Sequence, residues 1–438
     1  MKKLILLSLV LLTVPTFASL SSFEARLHSS SFPPDTKKTL LELPIKKELR
    51  RNLKIRVLVF PHTLRNDWRH GKKDNAKTFQ LISKNKDIKI NNKNYRHLIF
   101  NIENNVTSIL SRENGYEEIL EISLPITIKL KSSAKILREN NESKSSSYKN
   151  TIRISNHNNG FRIINTMGLS EYLKGVVPSE SSPSWPLEAL KAQSVAARSY
   201  AVFHKLSAPS SREYDVDDTA RYQVYTGVSH HHPRTNKAVM ETQNEILTYQ
   251  DKVIIAFFHA YSGGETDSAK NIFKMRNIPY CKGTLENFTN NEILKVLPKS
   301  IHWVIEWNKT WDKKKLIRKL KSLKRFNSFN EDQSYDVKVT KRNSTHNGSI
   351  KNMTFTQGKT EAQIDHFRLR STLGWSNFNS YHFFFKDQDE NILDFKGLGW
   401  GHHVGMSQWS AYYMAKYQSA TYKEILDKFY FDTSLTKL

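Results

Sequence analysis

Apolar and polar residues alternate over the first third of the chain in the pattern of half-buried β-strands. Ile55, Val57 and Val59 are apolar and Arg56 faces the other way, which predicts a strand beginning near residue 53. Similar short apolar segments, separated by stretches rich in Lys, Asn and Ser, recur at residues 97–102, 118–128 and 151–154. This spacing predicts a β-rich region over residues 19–160, with the polar tract 132–150 as a mobile surface loop.

The hydrophobic period changes to that of a helix after residue 170. Ser170 can cap a short first helix, and Gly175 supplies the left-handed conformation that commonly ends one. A longer helix is predicted to begin near Pro186, because proline is tolerated in a first turn. One face of this second helix carries three alanines at helical spacing: Ala189, Ala192 and Ala196. Another element can therefore approach its backbone closely.

Glu180 lies between the two predicted helices. It follows the apolar pair Val176 and Val177, and two prolines, Pro178 and Pro183, restrict the backbone on either side of it. Apolar neighbours raise the pKa of a carboxylic acid, because burial disfavours the charged form. A carboxylic acid on a braced apolar segment is a candidate general acid.

Glycines mark two turns in the second half of the chain. The apolar run 253–259 ends at the pair Gly263 and Gly264, a tight turn that lets a ligand or another backbone come close. Four more glycines fall within residues 397–405, before a helix predicted from about 407 to 416.

Seven sequence blocks carry a resemblance to a known family. EYLKGVVPSE at residues 171–180 and WPLEALKAQSVAARSYA at residues 185–201 closely resemble the family of stage II sporulation protein D and the amidase enhancer LytB. The resemblance continues, in the order of the family, through DVDDTARYQVYTG, AFFHAYSGGETDSA, IPYCKG, FRLRSTLGW and GHHVGMSQWSAYYMA. Members of that family with known activity are lytic transglycosylases of peptidoglycan, whereas LytB-type members are described mainly as modifiers of amidases.

The resemblance implies an α+β fold with two lobes. A helical catalytic segment would pack on a mixed or antiparallel sheet, and the substrate cleft would lie between the lobes. We expect the family-like catalytic region to span residues 161–438, with a second lobe over roughly 284–400. Amphipathic pieces at residues 313–323 and 335–339 are typical of a helix and a strand in that lobe.

The resemblance also assigns roles to single residues. Glu180 would be the catalytic acid and base, since a lytic transglycosylase lets the 6-hydroxyl of muramic acid attack its own anomeric carbon and needs no second carboxylate. Other motif positions are expected to bind the glycan: Lys191, Arg198, Thr266, Tyr280, Lys282, His402 and Gln408. Arg198 could instead pair with Glu180 and lower its pKa, and Tyr280 and Lys282 could be ordinary surface residues.

Two residues depart from the family pattern GHGVGMSQWGA, because His403 and Ser410 each replace a glycine. If the first glycine needs a positive φ, His403 must be strained or the loop reshaped.

We expect neither a metal ion nor a cofactor. Some relatives bind zinc in the block around residue 217, but Asp217, Arg221 and Tyr222 occupy the ligand positions here, and arginine is not an ordinary ligand. The adjacent histidines His230, His231 and His232 cannot all face one tetrahedral ion, so they are interpreted as a polar surface tract.

The N-terminal residues indicate where the protein is located. Residues 1–18 have the features of a secretory signal, namely two lysines, an apolar run and a small-residue cleavage site. We therefore expect an exported protein, periplasmic or associated with the cell wall, with at most an uncleaved N-terminal membrane anchor.

The net charge indicates the class of partner. Lysine and arginine exceed aspartate and glutamate by 67 to 42, giving a net charge of +25. This charge favours cell-wall polymers or lipid headgroups as partners and not nucleic acid. With one cysteine, Cys281, the chain forms no intrachain disulfide.

Three functions follow as hypotheses. The first is an exported lytic transglycosylase that acts on peptidoglycan glycan strands. The second is a glycan-binding partner that stimulates a cell-wall amidase and cleaves nothing. The third is a glycoside hydrolase in which a second carboxylate activates water, for which the candidates are Asp215, Asp217 and Asp218.

Overall fold

The computed structural model of the protein describes residues 53–60, 77–103, 106–138, 141–157, 160–219, 222–273, 278–286, 288–343, 349–374 and 377–438. The predicted signal segment and Arg221 lie outside these ranges. The described part combines helices with several sheets, which confirms this part of the predicted α+β fold. None of its helices is both long enough and apolar enough to cross a membrane.

The elements are as follows in chain order. The first twelve strands are β1 (Lys54–Phe60), β2 (Thr78–Ser83), β3 (Ile88–Ile90), β4 (Lys93–Tyr95), β5 (His97–Glu103), β6 (Val106–Glu113), β7 (Tyr116–Ile119), β8 (Ile126–Leu130), β9 (Ala134–Arg138), β10 (Asn141–Tyr148), β11 (Thr151–His157) and β12 (Gly160–Gly168). The α-helices are α1 (Leu169–Glu180), α2 (Leu187–Ser207), α3 (Pro233–Glu241), α4 (Ala269–Phe273), α5 (Asn290–Val296), α6 (His302–Ile305), α7 (Lys313–Leu320), α8 (His366–Leu373), α9 (Gln408–Tyr417) and α10 (Tyr422–Phe429). The later strands are β13 (Val216–Asp217), β14 (Glu245–Tyr249), β15 (Lys252–Val253), β16 (Phe258–His259), β17 (Glu306–Asp312), β18 (Asp336–Arg342), β19 (Ile350–Gln357), β20 (Thr360–Asp365), β21 (His382–Gln388), β22 (Ile392–Leu398), β23 (Met406–Ser407) and β24 (Ser434–Lys437).

Two sheets form the first part of the described chain. One has seven strands in the order β13-β1-β12-β11-β8-β3-β4, and the other has six in the order β10-β9-β2-β5-β6-β7. Phe79 and Phe100 stack on neighbouring strands of the second sheet, with ring centroids 4.5 Å apart. Phe161 of the first sheet meets the Phe79 ring edge-on at 5.0 Å. The alternating apolar residues of the two sheets therefore share one core.

Most of the described residues in the polar tract 132–150 form two strands, where the sequence predicted a loop. β9 and β10 pair antiparallel and extend the six-stranded sheet. Ala134, Ile136 and Tyr148 are buried, with at most 2% of each residue exposed. These few apolar residues alternate along the strands, so burial on one face overrides the polar composition of the tract.

Helix α1 differs from its prediction. Its N-cap is Gly168 and not Ser170, and it runs through Gly175 and Pro178 to Glu180. Gly175 therefore does not end the helix, and Glu180 is its last residue and not part of a loop. The helix continues past the missing N–H of Pro178 because the residues around it are buried and Ser179 Oγ donates to Gly175 O at 2.9 Å.

Close packing explains the glycine at position 175. A Cβ there would lie 2.4 Å from Gly227 O and 2.7 Å from the Tyr225 ring. The absence of a side chain lets residues 222–227 cross α1 at backbone distance, and this crossing brings Val224 to the end of the helix.

Helix α2 begins after Pro186, as predicted, and is buried along most of its length. Ala189, Ala192 and Ala196 are at most 1% exposed. The small side chains allow α1, α3, α9 and α10 to pack around α2.

A second hydrophobic core is built from residues 307–395. It lies between the sheets β17-β22-β21 and β18-β19-β20 and the helices α7 and α8. The amphipathic piece predicted at 313–323 is α7, which buries Leu316, Ile317 and Leu320. The strand predicted at 335–339 is β18.

The glycine-rich turn returns the chain to the first core. β23 pairs parallel with β16, with Phe258 opposite Met406 and His259 opposite Ser407. α9 starts directly after β23 and packs on α2. The first turn of α9 is therefore placed against the end of α1.

We expect Gly175→Ala to lower the free energy of unfolding by about 1–3 kcal/mol, because the added methyl group overlaps backbone and ring atoms that cannot both move. Gly168→Ala is the matched control, since a Cβ at that position meets nothing within 4 Å. Thermal and urea unfolding of the two variants measure the difference. Equal stability of the two would contradict the packing described for Gly175.

Candidate functional site

Glu180 is held by two segments that are distant in sequence. Its Oε1 accepts a hydrogen bond from Val224 N at 2.8 Å. Its backbone carbonyl accepts one from Gln408 Nε2 at 3.2 Å, and the same amide nitrogen lies 3.3 Å from Gln193 Oε1 on α2. The end of α1, the segment after residue 222 and the first turn of α9 therefore meet at this carboxyl group.

The segment that carries Val224 is fixed on both sides. Tyr172 Oη donates to Gln223 Oε1 at 3.2 Å, and Gln223 Nε2 donates to Ala197 O at 3.1 Å. Ser179 Oγ and Thr226 Oγ1 lie 3.0 Å apart. These buried bonds tie the segment to α1 and α2, so Val224 N has little freedom to leave the carboxylate.

Burial raises the pKa of Glu180 from its ordinary 4.5 to about 7. Two effects oppose this shift without cancelling it, the hydrogen bond from Val224 N and the nearby amide of Gln408. Among the described residues no lysine, arginine or histidine forms an ion pair with Glu180. As a whole residue Glu180 is partly exposed, although its carboxyl group is buried. Near neutral pH it can therefore either give or accept a proton.

Of the predicted glycan-binding residues, the structure brings Gln408 to Glu180 but not Arg198. Arg198 is 1% exposed, and its guanidinium donates to Glu245 O at 2.9 Å and to Val239 O at 3.0 Å. Burial lowers its pKa to about 10. Its contacts join α2 to α3 and to β14.

Lys191 forms ion pairs with two glutamates, neither of which is Glu180. Its Nζ pairs with Glu188 at 2.9 Å and with Glu241 at 2.8 Å, and it lies over the Tyr422 ring. These contacts join α2 to α3 and α10.

The remaining predicted residues lie around residues 255–284 and 402. Tyr280 is buried, and its hydroxyl accepts from Ile255 N at 3.2 Å. Thr266 is buried and exchanges hydrogen bonds with the backbone of Thr284. Lys282 is exposed and pairs with Asp432 at 3.2 Å. The structure records no hydrogen bond or ion pair between these side chains and Glu180.

His402 and His403 are buried in the glycine-rich turn. His402 Nδ1 accepts from Val404 N at 3.1 Å, and its ring lies 5.3 Å from that of His259. His403 has φ 62°, so this position does need the left-handed conformation and His403 is strained, as expected from its replacing a glycine. Burial lowers the pKa of both residues, which keeps them neutral.

A second carboxylic acid was not predicted from the sequence. Glu286 Oε1 accepts hydrogen bonds from Ser262 Oγ and, at 2.5 Å, from Ser410 Oγ on the first turn of α9. Burial raises the pKa of Glu286 to about 7. Its partners lie 24 and 124 residues away in sequence, and no local motif marks it. The replacement at Ser410 is the one signal that could have led to it, because the added hydroxyl needs an acceptor.

Of the three aspartates considered as water-activating bases, Asp215 and Asp217 use their carboxylates in other contacts. Asp215 pairs with Arg56 at 2.6 Å and with Lys205 at 3.1 Å. Asp217 Oδ1 accepts from the backbone and the hydroxyl of Thr219. The backbone of Asp218 bonds to Leu58 and Tyr225.

No group of three or more His, Cys, Asp or Glu residues in the described ranges is arranged to hold a metal ion. His232 accepts from Arg234 N and serves as the N-cap of α3. The absence of a metal and of a cofactor stays a prediction.

A cleft of about 320 Å³ lies beside β22 and the start of α5. It contains none of the predicted site residues. Its lining includes an ion pair between Glu306 and Lys396, 3.2 Å apart.

Known proteins resemble this chain across the site. The family described as "Stage II sporulation protein" matches residues 157–249, which include α1, α2 and Glu180. An uncharacterized protein of Brachyspira hyodysenteriae is 36% identical over 282 residues, which cover 63% of this chain and 68% of that relative. Stage II sporulation protein D of Bacillus subtilis is 30% identical over 296 residues, which cover 63% of this chain and 76% of that protein. The chain belongs to the stage II sporulation protein D family.

Another relative has a different name. The amidase enhancer of Bacillus subtilis is 29% identical over 306 residues, which cover 60% of this chain but 40% of that protein. The stage II sporulation protein D family, as matched here, therefore includes relatives named for sporulation and for amidase enhancement.

We expect Glu180 and Glu286 each to contribute a loss of stability as the pH rises from about 4.5 to about 7, opposite in sign to the contribution of the buried neutral histidines. Glu180 and Glu286 have folded-state pKa values of about 7 against ordinary values of 4.5, so in this range the unfolded chain releases protons that the folded chain retains. Glu180→Gln and Glu286→Gln should each remove part of this slope. Thermal unfolding measured from pH 4 to pH 8 tests it, and a slope unchanged in both variants would contradict the raised pKa values.

Proposed function

We propose that the protein is an exported lytic transglycosylase that cleaves peptidoglycan glycan strands, with Glu180 as both acid and base. The observation that carries this proposal is the carboxyl group of Glu180, which accepts a hydrogen bond from Val224 N and whose pKa burial raises to about 7. One group that exchanges a proton near neutral pH is what the reaction requires. Membership of the stage II sporulation protein D family supports the choice of substrate.

In the first step, the protonated carboxyl group donates its proton to the oxygen that bridges two sugars. Oε1 already accepts a bond from Val224 N, so the proton is carried by Oε2, which is left for the substrate. The bond between the anomeric carbon and the bridging oxygen breaks, and positive charge develops on the anomeric carbon. Glu180 becomes a carboxylate that Val224 N and the amide of Gln408 stabilise.

In the second step, the carboxylate removes the proton from the 6-hydroxyl of the same muramic acid. That oxygen bonds to the anomeric carbon and closes the 1,6-anhydro ring. Glu180 is protonated again, and no water is consumed. The Gln408 contact to the backbone of Glu180 keeps the carboxyl group in place through both transfers.

Two further features belong to this proposal. The net charge of +25 favours approach to the polyanionic cell wall. The expectation of export rests on residues 1–18, and the expectation that the glycan lies in a cleft between two lobes rests on the family resemblance.

A second candidate function is favoured by the relative named amidase enhancer. In that case the protein would bind glycan strands, stimulate a cell-wall amidase and leave the strands intact. The chemistry of Glu180 would then be unused, and its replacement would leave the stimulation unchanged.

We expect the mature chain to convert purified glycan strands, with or without stem peptides, into products with 1,6-anhydro-muramic ends. Each such end is one water, about 18 mass units, lighter than the product of hydrolysis, so mass spectrometry separates the two reactions. Glu180→Gln should reduce the rate by on the order of a hundredfold or more, because the amide keeps the shape but cannot deliver the proton.

Glu171→Gln is the matched control, since Glu171 lies on the same helix and is exposed beside Lys174. It should cleave at the parent rate. Anhydro ends that persist undiminished in Glu180→Gln would mean that the acid is another residue. Product ends that contain the added water would indicate a hydrolase, and Glu286 would then be the next residue to replace. Uncut strands together with stimulation of an amidase would support the second function.

The pH dependence of cleavage should follow the protonation of Glu180. Glu180 must be protonated to begin the reaction, so kcat/KM should fall about tenfold per pH unit above about pH 7. Initial rates from pH 5 to pH 9 on one glycan preparation measure this. A rate that stays constant up to pH 9 would exclude Glu180 as the acid.

A further inference from the structure

A continuous row of aromatic rings begins at Trp185, shortly after Glu180 in the sequence, and follows α9. Trp185 lies 4.6 Å from Trp409 and 5.5 Å from Tyr412, measured between ring centroids. Trp409 and Tyr412 are 5.4 Å apart, and Tyr412 and Tyr417 are 6.4 Å apart. Tyr413 lies 5.1 Å from Tyr417. We call these five residues the aromatic row.

The aromatic row occupies one face of α9. Trp409, Tyr412, Tyr413 and Tyr417 have the spacing i, i+3, i+4 and i+8, which places their side chains along one stripe of the helix. The buried residues of the same helix are the small or polar Gln408, Ser410 and Ala411. α9 thus buries its small side chains and leaves most of its aromatic side chains partly accessible, which is the reverse of an ordinary amphipathic helix.

Exposure rises along the row. Trp185 is 6% exposed, Trp409, Tyr412 and Tyr413 are partly buried, and Tyr417 is 44% exposed. The inner edges of the rings on α9 pack on the small core around Tyr261 and Phe288. The rings are therefore supported from beneath, and fixed rings bind a ligand at a lower entropic cost than mobile ones.

The row is joined to the candidate site by the chain itself. Gln408, which donates to the backbone of Glu180, immediately precedes Trp409. Trp185 stands just before α2, at the end of the segment that follows Glu180. A ligand that reaches the carboxyl group and extends along α9 would therefore pass over these rings.

We propose that the aromatic row is a set of subsites that stack the sugar rings of a glycan strand next to the bond at Glu180. The proposal rests on the proposed function and adds to it where the strand lies. A pyranose ring has an apolar face of C–H groups and a rim of hydroxyl groups. Aromatic rings match the face, and the hydroxyl groups of the tyrosines match the rim.

The chemistry of the row favours a glycan over another protein. The rings alternate with polar groups, because Tyr412, Tyr413 and Tyr417 each carry a hydroxyl and Lys416 lies on the same exposed side. These partly exposed hydroxyl groups and the ammonium group of Lys416 suit a ligand that is rich in hydroxyl groups.

The test measures binding without cleavage. In the Glu180→Gln background, glycan strands freed of stem peptides are titrated against the protein, and affinity is followed by calorimetry and by tryptophan fluorescence. Tyr417→Ala and Tyr412→Ala should each weaken binding by about tenfold, from the usual contribution of one stacked aromatic ring. Tyr417→Phe should bind nearly as well as the parent, because it keeps the ring.

Tyr116→Ala is the matched control, since Tyr116 is 82% exposed on β7 of the six-stranded sheet. It should bind like the parent. Parent-like affinity in Tyr412→Ala and Tyr417→Ala would overturn the proposal, and so would an equal loss in Tyr116→Ala. Thermal unfolding of each variant tests whether it is folded. If Tyr412→Ala is unstable, the affinity of Tyr417→Ala is the deciding measurement, because Tyr417 is the most exposed ring of the row.

Cleavage assays with the Glu180 parent run in parallel and separate the two proposals. If the parent cleaves the strands and the ring variants bind them as well as the parent does, the proposed function is retained and the role of the aromatic row in glycan binding is rejected. Ring-dependent binding without any cleavage would keep the row and reject the transglycosylase. Loss of amidase stimulation with unchanged glycan binding would show that the row binds a protein, and would overturn the proposal.

Discussion

The removal of one carboxylic acid from water is the constraint on which the site depends. Glu180 has a single main-chain donor at Oε1 and no cationic partner among the described residues, so burial decides its protonation. A neighbouring arginine would have made it a permanent carboxylate. Arg198 was considered from the sequence as a partner that could lower the pKa of Glu180. Its guanidinium instead donates to the carbonyl groups of Val239 and Glu245. The fold keeps cations away from the acid by giving them other acceptors.

The sequence alone predicted those features that depend on residues close together in the chain. Pro186 indicated the start of α2, and the alanines indicated its buried face. The motif around Glu180 predicted the candidate acid, whose catalytic role stays a proposal. The glycine pattern before α9 indicated a strained turn, and His403 has the positive φ that this pattern implied. These features are set by backbone preferences and by periodicity, which a single sequence displays directly.

Long-range contacts explain what the sequence did not show. Gly175 suggested a helix end, yet it lies inside α1 because Tyr225 and Gly227 occupy the space of its missing side chain. The tract 132–150 is polar, yet it forms two strands because Tyr148 and its neighbours reach a core assembled by other strands. Glu286 was overlooked because its hydrogen-bond partners are Ser262 and Ser410. In each case the decisive neighbour is absent from the local pattern.

The contact between Gln408 and Glu180 also sets an order of events. These residues are 228 positions apart, and α9 follows every residue of the second hydrophobic core in the sequence. A chain synthesised from its N-terminus can form the paired sheets, α1 and α2 while Gln408 has not yet been made. The acid then lacks the side chain that holds its backbone and the helix that packs beside it. The acid therefore has its full set of contacts only in a chain that includes α9.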